Sequence, residues 1–128
     1  MELRLYRIIL PVNDIEKAFQ FYRELFEQKG MRVSPGRHYF TLGQTVLACY
    51  DPEADGDEIG TGWKLHYNQY IYIATSDIEK IFDQWTKLGA KHISQRIESM
   101  PWGETLFYAL DPFNNRLCFV KNDTIFTG

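Results

Sequence analysis

Cysteine is nearly absent: the 128 residues contain two, Cys49 and Cys118, far apart and in no close-spaced metal motif, which argues against a disulfide scaffold. Histidine is almost as scarce, and His38, His66 and His92 are too widely separated to form a local ligand set. No basic run occurs, and 14 Lys+Arg against 17 Asp+Glu leave a net charge of −3, which disfavours a broad nucleic-acid-binding face. Long apolar runs are missing as well. Arg4, Arg7, Asn13 and Asp14 interrupt the N-terminal stretch before it could serve as a signal peptide or cross a membrane. A glycine-rich phosphate loop, a serine-hydrolase elbow and an HExxH helix are not found either. Together these absences predict a cytoplasmic protein with no nucleic-acid or membrane partner. What the chain does hold is apolar and aromatic residues, 45% and 16%, enough for one core in a single domain over 1–128.

The most informative pattern is a tetrapeptide that occurs twice, Asp14-Ile15-Glu16-Lys17 and Asp77-Ile78-Glu79-Lys80, 63 residues apart. An apolar run precedes each copy, Ile8 to Val12 and Tyr70 to Thr75, and Phe19 and Phe82 follow at matching places. Two similar modules of about 60 residues are expected. Asn13 with Glu16, and Ser76 with Glu79, fit a reciprocal capping box at a strand-to-helix corner. Ile15, Ala18, Phe19, Tyr22 and Leu25 or Phe26 form an apolar stripe on the first helix, which Gly30 is expected to end. Ile78, Ile81, Phe82, Trp85 and Leu88 do the same on the second, with Gly89 as its stop.

Shorter patterns follow each helix. Segments 31–34, 37–42 and 45–50 read as strands, as do 91–96, 105–110 and 116–121. The chain therefore reads as a first βαβββ module over 1–50, a connector over 51–65, a second βαβββ module over 66–122 and a tail over 123–128. The connector, with Pro52, Gly56, Gly60 and Gly62 among five acidic residues, reads as exposed. Asp51, Glu53, Asp55 and Gly56 partly imitate a calcium loop, but the position that needs glutamate is Gly62 and no helix pair flanks it.

This order of elements, the two Asp-Ile-Glu-Lys corners and Asp111-Pro112-Phe113-Asn114-Asn115-Arg116 before the last strand resemble the vicinal oxygen chelate superfamily, the group of glyoxalases, bleomycin-resistance proteins and extradiol dioxygenases. The resemblance covers almost the whole chain. It implies an α+β fold of two βαβββ modules whose curved mixed sheets surround a cleft, often in a homodimer. It also implies ligands for a divalent metal on the first and last strands of each module. The matching positions here are Arg7, Tyr70, Ala48 (with Cys49 adjacent) and Cys118, of which at most the thiols are metal ligands. No family-type metal and no cofactor is expected.

Strand alternation sorts the remaining candidates. Ile8 and Leu10, Ile71 and Ile73, and Leu117 and Phe119 should face the helices, which turns Arg7, Tyr70, Tyr72 and Cys118 to the other side. Arg7 could hold a carboxylate or phosphate, or be spent on an ion pair with an acidic residue of its own chain or of a partner subunit. Tyr70 and Tyr72 could stack on a ligand ring or simply fill the interior. Pro101-Trp102-Gly103-Glu104 resembles a loop of drug-binding members, in which Trp102 would cover an apolar ligand or plug the loop; Glu104 is an acid-base candidate or a solvated carboxylate. His66 could close another edge. Cys118 lacks an assignable base and reads as a small strand residue. The favoured function is binding of a small organic molecule, aromatic or acidic, in a bleomycin-resistance-like cleft. A glyoxalase-related lyase with a divergent metal or acid-base site, and a structural or regulatory homodimer with a filled cleft, are the alternatives.

Overall fold

In each half of the chain a strand runs into an aspartate that starts a helix. The computed structural model describes residues 1–58 and 63–128, so Gly60 and Gly62, the latter at the last calcium-loop position, lie outside the described residues. The chain divides into two compact units, Met1–Leu65 and His66–Gly128. The first contains β1 (Arg7–Pro11), α1 (Ile15–Phe26), β2 (Met31–Ser34), β3 (Arg37–Leu42) and β4 (Thr45–Tyr50). Its sheet runs β1-β4-β3-β2, with β1 parallel to β4 and the other pairs antiparallel. The second contains β5 (Tyr70–Thr75), α2 (Ile78–Lys87), β6 (Lys91–His92), β7 (Glu98–Ser99), β8 (Thr105–Leu110) and β9 (Arg116–Lys121). Its sheet runs β5-β9-β8-β6, β7 also pairing with β8, and β5 and β9 are parallel. The fold is α+β with two mixed sheets.

The helix caps sit one residue later than the capping-box pattern predicts. Asp14 and Asp77, in place of Asn13 and Ser76, accept from the backbone N–H groups of Lys17 and Lys80 at 3.1 Å. The glutamate thus falls at the second helical position, one short of the place a capping box needs, and Glu16 instead pairs with Arg32 of β2 at 2.8 Å. Gly89 does end α2, in the left-handed conformation. Gly30 does not end α1, which stops at Phe26 with Glu27 left-handed. Its own positive φ of 62°, and a position where a Cβ would strike the Tyr39 carbonyl, explain the glycine: the chain leaving the helix passes hard against β3.

The expected strand over 91–96 breaks after His92. The N–H groups of both Ile93 and Ser94 bond to the single carbonyl of Tyr108, at 3.0 and 2.9 Å, and the Ser94 hydroxyl accepts from Tyr108 N–H at 2.9 Å. Two residues opposing one is a bulge, which bends the strand and releases it from the ladder until Glu98. Most of the described acidic connector is exposed as expected, but Asp51 and Asp55 are drawn against the first unit. Asp55 accepts from Gly36 N–H at 2.5 Å and from the Ser34 hydroxyl at 2.9 Å, and pairs with Arg37 at 3.4 Å. Those bonds occupy a carboxylate that a calcium loop would need.

Each helix covers one face of its own sheet. In the first unit the register puts Leu10, Leu47 and Phe40 on that face, all buried, with Ile15, Ala18, Tyr22 and Leu25 of α1. In the second, Phe107, Phe119 and Leu117 are buried under Ile78 and Trp85. A histidine lies at the edge of each core, against the equivalent phenylalanine of the two corners. His38 lies 4.6 Å from the Phe19 ring, and His92 lies 4.5 Å from Phe82. Both rings are fixed as the Nε2–H tautomer. His38 accepts Arg32 Nε–H at Nδ1 (3.2 Å) and donates to the Lys29 carbonyl (2.7 Å). Thr86, whose hydroxyl hydrogen goes to the Phe82 carbonyl, accepts from His92 Nε2 at 2.8 Å, and His92 Nδ1 is buried without a partner among the described residues.

Two measurements test these contacts. Asp77→Ala is expected to cost about 1 kcal/mol in urea unfolding, whereas Ser76→Ala stays within about 0.5 kcal/mol; the reverse order would return the cap to Ser76. Burial depresses the pKa of both His38 and His92, the Arg32 charge adding to it at His38 against the Lys29 carbonyl and Glu16. The unfolded chain therefore takes up protons first as pH falls below about 6.5, and stability is full above that pH and declines below it. Urea midpoints between pH 5 and 7.5 should show this decline, and replacing both histidines with glutamine should flatten it; a decline that survives in the double variant refutes the assignment.

Candidate functional site

The sheet face away from each helix carries the candidate side chains. In the second unit the register aligns Tyr72 of β5, Cys118 of β9 and Tyr108 of β8 in one row. Leu106, Cys118 and Val120 form the buried floor, and Tyr70, Tyr108 and Met100 pack against it. The Tyr70 ring lies 5.0 Å from Tyr108, edge to face, and 6.5 Å from Tyr72. Tyr72 is 56% exposed, so one phenol of the cluster is open to solvent. Burial, with the charge and hydrogen bond of Tyr72 behind it, pushes the Tyr108 hydroxyl up to about 12. It is therefore a neutral hydrogen-bonding group at physiological pH.

Cys118 has no access to solvent, and burial, followed by the nearby Glu104 charge, pushes its thiol up to about 12. At physiological pH the free thiol stays protonated and is a poor nucleophile. Glu104 stands on the same face, two residues before Leu106 on β8. The β7–β8 turn, closed by Met100 N–H to the Glu104 carbonyl at 2.8 Å, carries Trp102, which is 62% exposed. Its indole N–H donates to Glu104 Oε1 at 2.6 Å. Tyr70, Tyr72, Cys118, Glu104 and Trp102 thus share one sheet and its adjoining turn. His66 lies outside that group: its Nδ1 accepts from Asn68 N–H at 3.1 Å and its ring stacks on Tyr67 at 4.8 Å.

Arg7 belongs to the first unit, on the face that also carries Ile9, Ala48 and Tyr39. Its Nη1 donates to the Tyr39 hydroxyl at 2.7 Å, and the guanidinium lies over the Tyr6 and Tyr39 rings at 5.4 and 5.5 Å. Among the described residues no carboxylate pairs with it. Among the described residues Arg7 thus makes a tyrosine contact and no ion pair within its own chain. Further along the same face Arg37 stacks on Tyr50 at 4.0 Å, and Tyr50 donates to Asp57.

The positions matched to metal ligands do not fit a divalent ion. Arg7 is a cation, Tyr70 is packed by its ring, Ala48 has no donor and Cys118 is a lone thiol sealed between Leu106 and Val120. Among the described residues no three His, Cys, Asp or Glu side chains gather into a metal-holding group. Sequence reading missed Tyr39 and Tyr108. Both follow from extending strand alternation beyond the first and last strands to 37–42 and 105–110, whose pairing partners the first reading left unassigned.

Comparison with solved structures shows the same fold at low identity. A glyoxalase/bleomycin resistance protein from Albidiferax ferrireducens superposes with a TM-score of 0.73 at 16% identity, covering 91% of this chain and 98% of that one. Lactoylglutathione lyase from Agrobacterium tumefaciens gives 0.69 at 17% identity, with 92% of each chain covered. A superfamily member from Sphaerobacter thermophilus gives 0.65 at 24%, covering 94% and 98%. The family model of the Glyoxalase/Bleomycin resistance protein/Dioxygenase superfamily matches residues 4–119, nearly the whole chain, and the chain belongs to that superfamily.

Proposed function

We propose that this protein binds a small organic molecule by laying a ring of the ligand on the tyrosine-bearing face of its second sheet, and that it does so by recognition without a divalent metal at the family positions. The observation that carries the reading is the Tyr70–Tyr72–Tyr108 cluster over a buried apolar floor, with Tyr72 half open. Phenol rings offer stacking area at low entropic cost, and their hydroxyls stay neutral and can orient a polar group. Trp102, on the adjoining turn, is the proposed cover. Arg7 is a separate candidate contact for an acidic group, since its bond to Tyr39 uses only part of the guanidinium fork. His66 contributes no more than an edge to this reading.

A cytoplasmic homodimer is part of the same proposal. The two cysteines are free, as suits a reducing compartment. Leu3, Leu5, Tyr6, Met31 and Val33 leave apolar surface on the first unit that a second copy could cover. Intrinsic fluorescence titration with a panel of soluble aromatic acids, amines and neutral rings tests the binding reading. Tyr72→Ala should weaken the best ligand about tenfold, and Arg7→Gln should weaken only carboxylate-bearing ligands. A fold-intact Tyr72→Ala/Arg7→Gln double variant that binds every compound as well as the parent chain would remove the proposed site.

A further inference from the structure

The open face of the second sheet is electrically lopsided. Leu106, Tyr108 and Leu110 lie on this side of β8, which Glu104 immediately precedes, and Leu110 is paired with Arg116 of β9. Four residues at about 3.3 Å each put the Arg116 row about 13 Å from that of Leu106 at the other end of the strand, beyond the screening length of about 8 Å at physiological salt. Glu98, paired with Leu106, brings a second carboxylate toward the Glu104 end. Arg96 and Glu98 line a shallow recess together with Ile93, Ser94, Gln95 and Tyr108. Among the described residues no ion pair holds Glu104, and its side-chain bond is the one from Trp102.

That bond sets the chemistry of the pair. The indole N–H orients the carboxylate and is itself used up, leaving the Trp102 ring face open. Aromatic ring faces carry negative potential, as a carboxylate does, so tyrosines, tryptophan and glutamate on one surface all favour positive charge. An anion there would meet repulsion from each of them. The effect of Glu104 on the buried Cys118 thiol places its field at the floor of the tyrosine cluster, not only at the turn.

We infer that the Glu104 end of this face takes an organic cation, an ammonium or amidinium group carried beside the ring that lies on the tyrosines. The inference rests on the ring-binding reading above and adds the charge of the ligand. Calorimetric titration of the whole chain with benzyltrimethylammonium and, separately, benzyl alcohol tests it. The cation should bind about tenfold more tightly at low ionic strength, and raising salt to roughly 0.5 M should weaken the cation and leave the alcohol unchanged. Glu104→Gln should bring the two affinities within about twofold of each other by weakening the cation alone. If that variant does not fold, the salt dependence of the parent chain still decides. Equal affinities in the parent chain, or a preference that Glu104→Gln leaves intact, overturn the cation while sparing the ring-binding reading. Failure of both probes to bind overturns both.

Discussion

Covering one face of each sheet with its own helix is the constraint on which the rest depends. A strand side chain points to one side or the other with a period of two, so once the helix claims Leu10, Phe40 and Leu47, or Phe107, Leu117 and Phe119, every intervening residue is committed to the opposite face. That opposite face is where Arg7, Tyr39, Tyr70, Tyr72, Tyr108 and Cys118 stand. None of them was free to be elsewhere without moving the core as well. The aspartate caps serve the same constraint, because they start each helix at the point where the chain must turn back over its sheet.

The corner before the last strand shows how a buried polar group supports this geometry. Asp111 is almost fully buried, yet its carboxylate accepts from Phe113 and Asn115 N–H at 2.8 and 2.7 Å and from the Asn115 side chain at 3.0 Å. Three bonds satisfy a charge that would otherwise be costly to bury. They also fix where β9 begins, and with it the parity that turns Cys118 away from the helix. A slip of one residue there would exchange Cys118 for Phe119 and empty the core of a ring.

Most of the strands were legible because their signal is local. Segments 31–34, 37–42, 45–50, 105–110 and 116–121 are short runs rich in apolar, aromatic and β-branched residues, and the structure places strands over those residues. What escaped was set by contacts between segments. The bulge at Ile93 and Ser94 exists because one Tyr108 carbonyl serves two N–H groups, and nothing in residues 91–96 alone announces a partner across the sheet. The connector looked exposed by composition, since acid and glycine usually mean solvent; Ser34, Gly36 and Arg37 hold Asp55 in place, a match visible only after folding. Gly30 was legible as a special residue but not for the right reason, because helix stops and close backbone approaches both select glycine.

The candidate site was legible in part for the same reason. Residues on the first and last strands could be assigned to a face from their own alternation, whereas Tyr108 gains its meaning only from the register that sets it beside Cys118 and against Tyr70. That row also explains how one backbone can serve different chemistries. The positions matched to metal ligands on the second sheet hold Tyr70 and Cys118, on the face away from the helix. A donor set needs small, deprotonated groups converging on a point, and this row offers rings spread over an area.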